Sequence, residues 1–238
     1  MKLRRVGLIA ALIGLYLKVL HPRVRNWGAS EEEISRHLPG DGFVPDPKIT
    51  ATNAITIHAT PADIWPWLVQ MGTGRAGWYS FDMLDNKGVS SADEIIPDFQ
   101  TFEAGGMIPA QIATESQGKG FQVVACEQEK ALGLLSTWDV KERKSVTDSD
   151  LPEVYLRRSW VFILEPADER FTRLIVRTRT AYSAHPLAVS MAHTVLDSGQ
   201  AVMQRKQLLN IKKRVEQKRT RDLVEVISKE DEELPTSP

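Results

Sequence analysis

Apolar residues along this chain change their spacing several times, and each change marks an element. From Thr52 to Ala59 they alternate with polar residues, Ile55 and Ile57 on one face and Thr56 and His58 on the other, which predicts a strand. Ile64, Trp65, Leu68 and Val69 then recur at helical spacing. Thr60, Pro61 and Asp63 precede them as a hydroxyl cap, a proline at the first helical position and a carboxylate near the positive end. Pro66 lacks a helical donor, so a kink or an early end is expected. Tyr79 to Asn86 reads as a second short helix with Phe81 and Leu84 facing inward.

Beyond Gly106 the period is two. Phe121, Val123 and Ala125 alternate with Gln122, Val124 and Cys126, and Leu132, Leu134 and Trp138 form the next run. Arg158, Trp160, Phe162 and Leu164 share one face of a strand whose other face carries Val161 and Ile163, and Phe171 to Tyr182 returns beside it. Strands in sequence separated by turns predict an antiparallel meander. From Pro186 onward Val189, Ala192, Val195, Leu196, Gly199, Val202, Met203 and Leu209 recur every three or four residues, the pattern of a long helix with one buried face. Its later turns are crowded with cations from Arg205 to Arg221, a pattern of a solvated face or of a surface lying against anionic headgroups.

Outside that core the chain is less regular. Ser30 and Glu33 have capping-box spacing, predicting a helix over Ser30 to Leu38, and prolines and glycines from Pro39 to Pro47 then read as a linker. Val6 to Leu17 (VGLIAALIGLYL) is continuously apolar or glycine between basic residues, shorter than the about 20 residues of a comfortable span. No small-x-small cleavage site follows, so residues 3–20 are expected to act as an uncleaved membrane anchor; a packed core helix and a cytoplasmic protein are the alternatives. The expected layout is an anchor over 1–22, a short helix and linker over 23–48, a ligand-binding domain over 49–217, and a charged tail over 218–238 whose last stretch, KEDEELPTSP, is disordered.

Composition narrows the function by exclusion. A formal net charge of -1 argues against a general nucleic-acid binder. The single cysteine, Cys126, excludes an internal disulfide and a cysteine-based zinc cluster, and reads as a small apolar filler of its strand. The histidines show no metal-ligand spacing, and neither a nucleophile elbow nor a P-loop occurs. No metal or other cofactor is expected.

The stretch Thr60 to Asn86 holds the candidate chemistry. It packs Trp65, Trp67, Trp78, Tyr79 and Phe81 around Gly72, Gly74 and Gly77, a mixture suited to the wall or mouth of a cavity. The glycines spell GxGxxG, but a helix leads in and no βαβ unit surrounds them, so the dinucleotide fingerprint does not apply and a flexible loop over a pocket entrance is expected. Asp82 and Asp85 stand one helical turn apart and could present paired carboxylates on one face; local capping or solvation is the competing reading. Trp65, Gly74, Arg75, Trp78, Tyr79, Phe81, Asp82, Trp138, Trp160 and Met203 are the candidate ligand-binding residues, with Arg75, Asp82 or Asp85 orienting a polar head. Asp82, Asp85 and His193 are the candidates for proton transfer.

The order strand, two short helices around a glycine loop, antiparallel meander and long C-terminal helix, headed by ATNAITIHATPADIWPWLVQMGTGRAGWYSFDMLDN, resembles the SRPBCC superfamily of START-like, Bet v 1-like and polyketide-cyclase-like proteins. The likeness covers about residues 49–215 and is most specific at Ala59 to Trp67, at Trp78 to Ser80 and around MQRKQLLNIKKR. It implies an α+β helix-grip fold, a curved antiparallel sheet wrapped around the C-terminal helix with a cavity between them. It also implies a hydrophobic or amphipathic ligand such as a lipid or isoprenoid. The oxygenase members carry a Rieske cluster and a mononuclear iron site, which one cysteine and no matching His/Asp set exclude here. A cyclase- or dehydratase-like enzyme and an interaction module with a filled cavity are the other readings. The sequence leaves the oligomeric state open.

Overall fold

The computed structural model describes residues 21–101, 105–110, 120–146, 151–183 and 187–233, with the side chains of 187–198, 226 and 230–233 outside that description. The apolar run at 6–17 and the expected anchor over residues 3–20 therefore lie outside the described residues, as does the His193 side chain. No helix among the described residues is long and apolar enough to cross a membrane.

The period-two stretches pair into a seven-stranded antiparallel sheet. Its strands are β1 (Ile49–Ile57), β2 (Met107–Pro109), β3 (Gly120–Glu127), β4 (Ala131–Asp139), β5 (Lys144–Val146), β6 (Tyr155–Pro166) and β7 (Thr172–Tyr182). They run in the order β1-β7-β6-β4-β3-β2, with β5 on β4. Trp160 faces Leu134 across one ladder and Thr178 across the other. A register shift between Val123 and Ala125 interrupts the β3–β4 pairing, a bulge of the kind that bends a strand.

The helices before the sheet are α1 (His21–Arg25) and α2 (Glu31–Ser35), those after β1 are α3 (Pro61–Val69) and α4 (Asp82–Asp85), and the last is α5 (Leu187–Glu233). Helix α5 packs against β1, α1 and α3. The architecture is the α+β helix-grip arrangement, with the sheet on one side and the long helix on the other.

Side-chain alternation divides the core in two. Leu132, Leu134, Phe162, Leu174 and Val176 meet Trp67 and Leu68 of α3 and Leu208, Ile211 and Val215 of α5. On the outer face Val161, Ile163 and Ile175 meet Leu38, Ala29 and Phe43. The stretch over 23–48 that reads as short helix and linker is thus packed on the sheet. Arginines of β7 hold it there. Arg173 makes a bidentate pair with Glu33 at 2.7 and 2.9 Å, and Arg177 donates to the carbonyls of Glu33 and Ile34 at 2.6 and 3.3 Å.

Local outcomes differ from the sequence reading in several places. Helix α3 continues three residues past Pro66, because the one donor lost is owed to Ala62 on its exposed face, while the Pro66 carbonyl still accepts from Gln70. The helix expected over Tyr79–Asn86 shrinks to the single turn of α4. Tyr79 has φ +57° and gives its N–H to Ser91 Oγ at 3.0 Å instead. Leu84, expected inward, is 51 % exposed.

Along α5 the inward positions are Ala201, Gln204, Gln207, Leu208, Ile211 and Val215, whereas Val202 and Leu209 of the expected buried face are exposed. From residue 199 onward the buried face is thus turned toward two glutamines that find hydrogen-bond partners inside, while the side chains of Val189, Ala192, Val195 and Leu196 lie outside the described residues. The cations of α5 are not simply solvated: Lys212 donates to the Thr56 carbonyl, Arg214 to that of Ala92, and Arg219 to that of His58. The helix also extends through Glu233 into the stretch expected to be disordered; residues 234–238 lie outside the described ones.

Candidate ligand-binding cavity

A cavity of about 300 Å³ lies between the sheet and α5, lined by Trp78, Phe121, Trp138, Trp160, Asp85 and Met203 among others. Strand alternation explains the sheet side, because Leu156, Arg158 and Trp160 stand two residues apart on β6 and all reach the cavity. The indoles of Trp78 and Trp160 stack with centroids 5.3 Å apart and planes at 24°. Phe121 closes the group, 5.8 Å from Trp78 and 5.4 Å from Trp160. Those separations lie in the favourable range for aromatic pairs.

Hydrogen bonds fix both indoles. Trp160 Nε1 donates to Gln204 Oε1 at 2.8 Å, Gln204 Nε2 donates to Gln207 Oε1 at 2.7 Å, and Gln207 Nε2 donates to the Trp78 carbonyl at 2.9 Å. Trp78 Nε1 donates to Thr73 Oγ1 at 3.0 Å, and that hydroxyl donates to the Asp85 carbonyl at 2.9 Å. The Ser80 hydroxyl donates to the Met203 carbonyl at 3.0 Å, tying the glycine loop segment to α5.

The two aspartates of α4 have separate fates. Asp82 accepts a short bond from Ser91 Oγ at 2.6 Å, and Ser91 in turn accepts the Tyr79 amide, so Asp82 braces the turn. Asp85 is 7 % exposed, lines the cavity, and its Oδ1 has no hydrogen-bond partner. Burial pushes its carboxyl up to about 6, with the charge of Asp82 adding to the rise and backbone amides and the Ser80 hydroxyl opposing it.

The other sequence candidates fall outside the cavity lining. Trp65 is buried in the core. Tyr79 is buried behind the glycine turn, its hydroxyl accepting from Gln70 Nε2 at 2.7 Å, and burial holds that hydroxyl far above the ordinary phenol range. Arg75 donates to the carbonyls of Val69 and Phe99 and lies over the Phe99 ring, and Phe81 sits under Lys206 Nζ. The loop expected to be flexible is a closed turn: Gly72 and Gly77 pair as an antiparallel bridge, and a Cβ on Gly77 would come within 2.4 Å of Ser91 Oγ. Gly74 at its tip meets nothing within 4 Å. Cys126, read as a filler, is exposed near the end of β3.

Sequence reasoning assigned no site role to Phe121, Arg158, Gln204 or Gln207. Arg158 was detectable, since its place on the Trp160 face of β6 puts a cation on an otherwise apolar inward row. The glutamines carried no such signal, because polar residues on a helix are ordinarily outward. Among the described residues no cluster of His, Cys, Asp or Glu could hold a metal ion.

No family model matches the chain, and no characterised protein of similar sequence matches it. Solved structures do resemble it. A conserved protein from Geobacillus kaustophilus is 12 % identical with a TM-score of 0.41, covering 71 % of this chain and 96 % of its own. A protein from Arthrobacter aurescens is 15 % identical with a TM-score of 0.44, covering 71 % and 86 %. A norcoclaurine synthase point mutant from Thalictrum, solved with a transition-state analogue, is 12 % identical with a TM-score of 0.33, covering 66 % and 93 %. Likenesses at that level carry no argument about function.

Proposed function

We propose that the protein binds a hydrophobic or amphipathic small molecule, such as a lipid or isoprenoid, in the cavity between sheet and α5, with residues 3–20 tethering it to a membrane. The observation that supports the binding reading best is the aromatic group Trp78, Phe121 and Trp160 lining a cavity of about 300 Å³. A cavity of that size matches the lower end of small-molecule sites, which are largely apolar with few polar groups. Asp85, Arg158 and the two glutamines supply those groups.

Native mass spectrometry of gently purified protein, with organic extraction of what co-purifies, tests this reading. A stoichiometric apolar molecule, or uptake from a panel of lipids and fluorescent hydrophobes, is expected. Met203→Trp, which adds bulk at the cavity wall, should abolish uptake while the protein stays folded. An empty protein that takes up none of the panel would sink the binding reading.

A further inference from the structure

Resting on that binding reading, we infer that the cavity selects a cationic amphiphile, a lipophilic amine whose ammonium pairs with the Asp85 carboxylate while its apolar body contacts Trp78, Phe121 and Trp160. Two independent features meet at one place. The first is a carboxylate oxygen buried without a partner: Asp85 is only 7 % exposed, Oδ1 accepts no hydrogen bond, and among the described residues no cation forms an ion pair with it. An ionised carboxylate so placed is costly unless a donor or countercharge arrives. The second feature is the indole pair, whose π faces attract cations, most strongly away from water. A protonated amine satisfies both, supplying a countercharge to the carboxylate and a cation to the rings. A neutral hydrocarbon satisfies only the rings. An anion would be repelled by Asp85.

The charged groups around Asp85 are consistent with this choice. Asp82, on the same helical turn, adds negative charge. The cavity's own cation, Arg158, stands on β6 one pleat period from Trp160 and gives its Nε to Thr180 Oγ1 at 3.0 Å. Lys206 lies over Phe81 at 3.8 Å and is not part of the cavity lining. Among the described residues no cation forms an ion pair with Asp85, so its negative charge at the cavity wall is left to be neutralised by a cation that enters the cavity.

Isothermal titration calorimetry with three matched probes tests the inference: naphthylethylamine, its neutral isostere propylnaphthalene, and the anion naphthylpropanoate. At about pH 7.5, where carboxylate and ammonium are both charged, wild-type protein should bind the amine at least about tenfold tighter than the neutral probe. Asp85→Asn should remove that preference. A pH series on the wild type provides the check independent of any variant: amine affinity should fall as pH drops through the Asp85 transition, while neutral-probe affinity does not. If the neutral probe binds but the amine is no tighter, if the preference survives Asp85→Asn, or if the anion binds best, the inference fails and cavity binding stands. If none of the probes binds, this inference and the binding reading fail together.

Discussion

Trp160 and Trp78, stacked across the cavity wall, are the two ends of one hydrogen-bond chain that passes through Gln204 and Gln207 of α5. The chain starts at an indole N–H on the sheet and finishes at a carbonyl in the glycine loop. It therefore sets the separation of sheet, loop and helix at the point where a ligand would sit. Replacing Gln204 with leucine keeps the bulk but strands the buried Trp160 N–H and the Gln207 amide oxygen. A loss of about 1–3 kcal/mol is expected for a stranded buried polar group. Urea unfolding measures it, and an unchanged midpoint would show that the relay contributes nothing.

Arg177 should prove the most sensitive position on the outer face. Its side chain is 3 % exposed, pairs with Asp41 Oδ2 at 3.4 Å, and caps carbonyls at the end of α2. Burial lowers its affinity for protons while the Asp41 charge offsets that. Arg177→Met leaves the buried Asp41 with one of its two countercharges, Arg179 at 3.4 Å. Breaking a buried pair from one side costs about 3–5 kcal/mol, and the remaining arginine places the expected loss toward the lower figure. Denaturant unfolding gives the size. Limited proteolysis should also show earlier cleavage within residues 21–48, and equal protease resistance would disprove the clamp.

The glycine turn allows a paired comparison. Gly74 and Gly77 both have positive φ, +75° and +79°, yet a Cβ meets open space at the first and Ser91 Oγ at 2.4 Å at the second. Gly74→Ala carries only left-handed backbone strain, about 1–2 kcal/mol. Gly77→Ala adds a clash with the Ser91 that braces both Asp82 and Tyr79, so its destabilisation should be clearly the larger. Thermal melts of the two variants decide, and equal losses would mean the turn relaxes freely.

Asp85 gives a pH dependence with a definite sign. Its carboxyl is raised in the folded protein, to about 6 from 3.8, so the folded state holds this proton more tightly than the unfolded chain. Its contribution is neutral below the unfolded value, becomes destabilising as pH rises from there through about 6, and stays at its full penalty above. Asp85→Asn should therefore stabilise the protein at pH values above that window, by on the order of 2 kcal/mol, with the difference shrinking toward acid. Paired urea titrations across the window check this. A stability gap independent of pH would remove the titration of Asp85 as its cause.

Much of the architecture is legible in the one-dimensional pattern. The alternation of Arg158, Trp160, Phe162 and Leu164 against Val161 and Ile163 specifies a strand buried on both faces, and β6 is one. Thr60, Pro61 and Asp63 specify the start of α3, where the capping box forms, because capping depends on atoms three residues apart. Ser30 and Glu33 do the same for α2. Trp78, Trp138, Trp160 and Met203 were legible as cavity candidates because large apolar side chains in separate elements must converge somewhere, and these line the volume.

By itself, then, the sequence determined the features that local spacing dictates: element type, caps, the antiparallel order and the inward row of β6. Tertiary structure decided the rest, since it depends on partners distant in the chain. Gln204 and Gln207 turn inward because an indole and a carbonyl await them, which shifts the buried face of α5 away from Val202 and Leu209. Tyr79 leaves the helical region because Ser91, twelve residues on, accepts its amide. Arg75 turns to the carbonyls of Val69 and Phe99, and Asp82 to Ser91, leaving Asp85 as the carboxylate in the cavity. Two aspartates three residues apart look equivalent in a sequence; only the packing around them makes one a brace and leaves the other with an empty acceptor.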